Sequence, residues 1–403
     1  FQAVAAALLR GPAVAALAEL PAEERGRLVG DLFAGAPAGE VLLALAGAQA
    51  PPRPAPLLRA GGRGCARATF VAELLLARFG PGARGVFELV SSARDDIQAG
   101  EWARALATVA EGWAGPVPDP AMPSPFAALS AKAMAVGLAA GGAAKASGAL
   151  ATRYFERLCR RGYARAVARA ALGAAISAPA GGVAALGRAV AGLQGSLAPE
   201  RFAEALLAVT AARGRADAAG GLALEQLLEA AGDCPLTAAL RGPLLQGERV
   251  LPAGSLCALL SWLDLSGPAA WGADAPSRRA EALSALATRW SAPELASSAP
   301  QQQRHATRAL EWALEAVPEA DWGGEVLAEL LPAVGKKFGS GTARVQRHGR
   351  RVARALAAAV APDRPLDLPG DDASSEEEDG WEDAVGCEEE SGVGAAGGMT
   401  PAL

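Results

Sequence analysis

Apolar side chains return every three or four residues along this sequence, segment after segment, and that spacing puts them on one face of an α-helix. Trp102, Leu106, Val109 and Trp113 form one such face, bounded by Gly100 and Gly115. Phe202, Leu206 and Val209 form another behind Pro199, a residue suited to a helix start. Leu310, Ala313, Leu314 and Val317 end at Pro318. Val326, Leu327 and Leu330 end at Pro332, and Val345, Val352, Leu356 and Val360 end at Pro362. The residue types agree with the spacing. Ala fills 102 of the 403 positions, and Ala, Leu, Arg and Glu are strong helix formers. Val, Ile, Thr, Tyr and Phe are too few for a β-sandwich or barrel. The sequence predicts an all-α protein.

Consecutive amphipathic helices joined by short Gly, Pro and Ser links fit either a bundle or an α-solenoid of stacked hairpins. A single bundle core stops growing near about 250–300 residues. The expected architecture is therefore an irregular HEAT/armadillo-like α-solenoid over residues 1–361, with repeats of about 40–47 residues. Breaks are expected near 50–62 and 115–125, where Pro is dense. Residues 362–403 read as a disordered acidic tail, because they offer too little apolar surface to offset chain entropy. Eleven acidic residues and no Lys or Arg lie between Asp371 and Glu390, which leaves 38 basic against 32 acidic residues elsewhere.

Little in the sequence suggests chemistry. The two histidines, His305 and His348, have no evident partners for a metal or nucleophile site and read as structural. Gly335-Lys336-Lys337 lacks the flanking residues of a phosphate loop, and Gly61-Gly62-Arg63-Gly64 does not fit a dinucleotide fingerprint. No triad or metal cluster is evident, so no enzyme activity, cofactor or metal is expected. The five cysteines are scattered and odd in number, as in a reduced compartment. The least polar stretch, Ala131 to Leu150, carries Lys132 and Lys145 and falls short of a membrane span. The chain opens on Phe1, and is read as a fragment.

Three features could serve partners. Arg344, Arg347, Arg350, Arg351 and Arg354 fall on adjacent faces of one helix, as a solvated flank, as a partner-binding face or as a dock for the acidic tail that follows. The tryptophans read as core, except Trp381, a candidate anchor inside the acidic tail beside Glu376, Glu377, Glu378 and Asp379. Ser374 and Ser375 each have a carboxylate three residues on, Glu377 and Glu378, the spacing that an acidophilic kinase reads. Phosphorylation there would add about −1.5 to −2 charges per site and create an anionic peptide for a basic pocket.

The stretch from Trp290 to Val360 resembles the telomere length regulation protein family. Pro300, Gln302, Gln303, Arg304 and His305 match its first element, and Val345, Arg347, Gly349 and Ala353 its second. Arg350 and Arg354 stand where the family has Met and Glu. Ile176 to Leu207 is similar to an upstream family segment. The resemblance implies a non-catalytic α-solenoid in the triple-T co-chaperone complex, beside two other helical-repeat subunits. With a heat-shock chaperone, that complex matures and stabilises phosphatidylinositol 3-kinase-related kinases. The resemblance further implies that the acidic segment, once phosphorylated, docks a PIH-domain co-chaperone, in the cytoplasm or also the nucleus. Two alternatives stand beside it: a generic armadillo-like interaction or transport module, and a telomere-associated or other nucleic-acid binder. The modest basic excess argues against the second.

Overall fold

The computed structural model describes residues 36–48, 95–112, 125–141, 145–213, 218–265, 275–322 and 324–364, together with a few isolated positions. The expected breaks at 50–62 and 115–125 (bar Pro125), and the acidic segment from Asp371 onward, lie outside the described residues. Among the described residues there is no strand, and the fold is all-α.

The chain divides into two compact units, one formed by Phe1–Val209, Ala216–Leu244 and Trp262–Ala275, the other by Thr210–Arg215, Leu245–Ser261 and Pro276–Leu403. The first contains helices Ala38–Ala48 (α1), Asp96–Gly112 (α2), Pro125–Gly141 (α3), Lys145–Arg160 (α4), Ala164–Ser177 (α5) and Ala180–Ala191 (α6). They are followed by Leu197–Ala212 (α7) as far as Val209, then Ala218–Ala231 (α8) and the short Pro235–Ala239 (α9). Chain neighbours α3 and α4, α4 and α5, and α5 and α6 pack together, as hairpins must. Next-but-one helices also pack: α2 on α4, α3 on α5, α4 on α6 and α6 on α8.

Small residues make this packing possible. Nine residues of α5 are buried, seven of them Ala. In α6, a Cβ added at Gly182 would fall 2.2 Å from the Ala139 carbonyl oxygen of α3, and one at Gly187 would fall 2.4 Å from the Ala230 Cβ of α8. Glycine at both places lets backbones approach within reach of many weak dispersion contacts. Polar bridges also join these helices. Ser130 and Tyr154 share a buried hydroxyl hydrogen bond at 2.6 Å, and the Thr152 hydroxyl donates to the Ala189 carbonyl at 2.7 Å. Burial drives the Tyr154 phenol and the Cys159 thiol upward, the thiol to about 12, so both stay neutral. α8 ends at Gly232, whose φ of 67° suits a left-handed cap while its N–H donates to the Leu228 carbonyl.

One helix start in this unit differs from expectation. α2 begins at Asp96, not at Gly100. The Asp95 carboxylate accepts from the Gln98 N–H at 2.8 Å and caps the helix, and Gly100 sits inside it where the Arg153 guanidinium approaches. The chain also widens into a π-helical turn at Leu240–Leu244, which contains Pro243. A proline ring clashes with the carbonyl four residues back, and the wider turn accommodates it.

The second unit contains part of Ala253–Leu265 (α10), then Ala275–Ser291 (α11), the short Pro293–Ser297 (α12), Pro300–Ala316 (α13), Gly324–Phe338 (α14) and Ala343–Val360 (α15). α13 packs on α15, and α14 on α15. The expected stop at Pro332 does not occur. Ala333, Val334 and Lys337 beyond it are buried, so packing outweighs the roughly 3 kcal/mol cost of an interior proline. The ends at Pro318 and Pro362 fall as expected.

Candidate interaction site on helices α13 to α15

Pro300 occupies the first turn of α13, and the helix has no side-chain cap of its own. Gln303 fastens the chain just before it. Its buried amide donates to the Ala296 and Ser298 carbonyls, both at 2.9 Å, and accepts from the Arg344 Nε at 3.1 Å. Every polar atom of this side chain therefore has a partner, as burial requires.

His305 is fully buried and holds a second segment. The Leu251 N–H donates to its Nδ1 at 3.2 Å, so the proton must reside on Nε2, which donates to the Leu245 carbonyl at 3.2 Å. Between these anchors Gly247 has a φ of 73°, and a Cβ there would fall 2.9 Å from the imidazole. The Arg289 guanidinium donates to the Gly247 carbonyl at 2.8 Å. Gln302 and Arg304 are half-buried.

On α15, Val345, Gly349, Val352 and Leu356 form the buried stripe. Gly349 is buried because α14 comes close: a Cβ would meet the Lys337 Cβ at 3.0 Å and the Phe338 ring at 3.2 Å. Arg344, Arg347, Arg350, Arg351 and Arg354 are all half-buried. Arg351 turns onto α13 and grips Glu311 with two hydrogen bonds, of 2.6 and 2.8 Å. Arg308 approaches the same carboxylate at 3.7 Å.

These contacts have a common register. Gln303 bonds Arg344 forty-one residues on, and Glu311 bonds Arg351 forty residues on. Both positions advance together, so α13 and α15 run parallel. The Thr288 hydroxyl of α11 donates to Glu329 of α14 at 2.8 Å, again forty-one residues apart. Local sequence patterns carry no trace of partners at that distance.

Two buried groups were invisible in the sequence. Lys337 is only 8% exposed, with its ammonium 4.4 Å from the centre of the Trp290 ring, and burial holds its pKa below the usual range. The indole N–H of Trp290 donates to the Thr307 hydroxyl at 3.2 Å. Both ring nitrogens of His348 are buried without a hydrogen-bond partner. Burial, then Arg351, Lys337, Arg304 and Arg344, push its pKa down to about 4.

Among the described residues, no group of three His, Cys, Asp or Glu side chains could hold a metal ion, and no helix is long and apolar enough to cross a membrane. Ser374, Ser375, Glu376, Glu377, Glu378, Asp379 and Trp381 lie outside the described residues. No protein-family model matches the chain, and no curated protein matches it.

Proposed function

We propose that this chain is a non-enzymatic scaffold built of HEAT/armadillo-like helical hairpins, serving a triple-T-type co-chaperone complex that matures phosphatidylinositol 3-kinase-related kinases. The observation that carries the reading is the register of the cross-helix bonds. Gln303 to Arg344, Glu311 to Arg351 and Thr288 to Glu329 each link a helix to its counterpart about one hairpin later. A constant offset of this kind is what stacked repeats need, since each repeat contacts its neighbours. The residues that carry the family resemblance lie among these fastenings: Gln303 and His305 hold loops and neighbours, while Val345 and Gly349 are buried against them. The polar side-chain atoms of Gln303 and His305 are committed to structure, which suits a scaffold better than a catalyst.

In this reading the acidic segment is the regulated part. Ser374 and Ser375, once phosphorylated, dock a PIH-domain co-chaperone together with Glu376, Glu377, Glu378, Asp379 and Trp381. The chain works in the cytoplasm and, with its kinases, in the nucleus. The test is affinity purification of the tagged chain from cells. Co-purification of a related kinase and two large helical subunits is the expected result. Their absence would leave a generic armadillo-like module, and strong DNA binding that weakens steeply with salt would favour the nucleic-acid alternative.

A further inference from the structure

We propose that Lys337, Arg304, Arg344 and His348 form a binding niche for a phosphate group, at the meeting of α13, α14 and α15. The proposal stands independently of the co-chaperone reading.

Lysine is almost never buried unless paired. Lys337 is 8% exposed, and its ammonium faces the Trp290 ring rather than a carboxylate. A π face satisfies a cation in one direction only, so N–H donors remain for another acceptor. Arg344 commits Nε to Gln303, which leaves the two terminal nitrogens of its fork. Arg304 forms no ion pair with any described residue. His348 presents two buried ring nitrogens with no partner. The charges acting on His348 are Arg304 from α13, Lys337 from α14, and Arg344 and Arg351 from α15, and α13 also brings Glu311 and Arg308 beside Arg351. Glu311, the one carboxylate among them, is already gripped by Arg351 and approached by Arg308. The niche therefore carries uncompensated positive charge in partly desolvated surroundings, where a charge-assisted bond is strongest.

The ligand class follows from the donors. A phosphate offers several oxygens to separate N–H groups at once, matching an ammonium beside guanidinium forks better than a single carboxylate would. Its negative charge also offsets the cations that, after burial itself, hold His348 neutral. Binding should therefore draw a proton onto His348 and tighten as pH falls toward about 5.

With two histidines in the chain, proton NMR of the imidazole Cε1–H signals reads the site directly. A His348→Gln variant assigns the resonance. The full chain is titrated with sodium phosphate up to about 50 mM, against sodium chloride of matched ionic strength. The expected result is a saturable shift of the His348 signal, a rise of its midpoint by about one pH unit, and an unmoved His305 signal. Arg304→Gln, a half-buried position, should weaken phosphate binding about five-fold or more with unchanged helical circular dichroism. Lys337→Met should weaken it further. A peptide from Gly370 to Asp383, phosphorylated on both serines, separates the sources. Displacement of phosphate by this peptide but not by its unmodified form assigns the niche to phosphorylated side chains, and phosphate binding without displacement assigns it to the free ion. An unmoved His348 signal, or equal affinity in Arg304→Gln, overturns the proposal.

Discussion

The two units hold their helices together by different means. In the first, close approach of small residues brings backbones together, as at Gly182 against Ala139 and Gly187 against Ala230. In the second, large polar side chains reach between helices: Gln303, His305, Arg289, Arg344 and Arg351 each bond a group on another segment. Close backbone packing depends on shape and tolerates no added volume. Directional bonds depend on each partner being present, and a lost partner leaves a buried group unsatisfied. The same helical architecture thus tolerates different kinds of damage in its two parts.

The largest expected effect is at Trp290, which is fully buried. Trp290→Ala should destabilise the second unit by about 4 kcal/mol, measured by urea unfolding, because it opens a cavity and strips Thr307 and Lys337 of their partner. An effect below about 1 kcal/mol would place that unit's stability in its polar fastenings alone.

Next comes pH. A histidine held at about 4 in the folded chain, against an ordinary 6.5, binds its proton less readily than in the unfolded chain. Stability is therefore unaffected above about pH 6.5 and falls as pH drops toward 4, by up to about 3 kcal/mol. His348→Gln should flatten that slope in the second unit. The first unit contains no histidine, so amide exchange there should not follow the slope.

A smaller effect separates two glycines of the first unit. Gly182→Ala forces a Cβ onto a backbone carbonyl and should cost about 2 kcal/mol in thermal or urea unfolding. Gly173→Ala, inside α5 with nothing within 4 Å of the new methyl, should stabilise by about 0.5–1 kcal/mol. Equal effects would mean that close approach is not what orders this unit.

Much of the helical pattern was legible because it is local. The buried stripe Val345, Val352, Leu356 and the stop before Pro362 are written in spacings of seven and four. Gly100 and Pro332 misled because each is a local breaker overruled from elsewhere: Asp95 caps the helix ahead of Gly100, and the burial of Ala333, Val334 and Lys337 carries α14 past Pro332. The site was only half visible. Gln303 and His305 stood out by resemblance, but their bonds run to residues five to sixty positions away. Lys336-Lys337 reads as two cations at a helix end, where they complement the dipole. Only packing decides that Lys336 is exposed and Lys337 buried.

The central claim is that counterpart helices are joined in one register about forty residues apart. A double-mutant cycle on Glu311 and Arg351, using Glu311→Gln, Arg351→Gln and the pair, tests it most directly. Their bidentate, partly buried contact should give a coupling of about 1–2 kcal/mol, whereas the within-helix pair Glu156 and Arg160 should give less than about 0.5. A coupling near zero between Glu311 and Arg351, with both single variants folded, would contradict the register and the stacked-hairpin account with it.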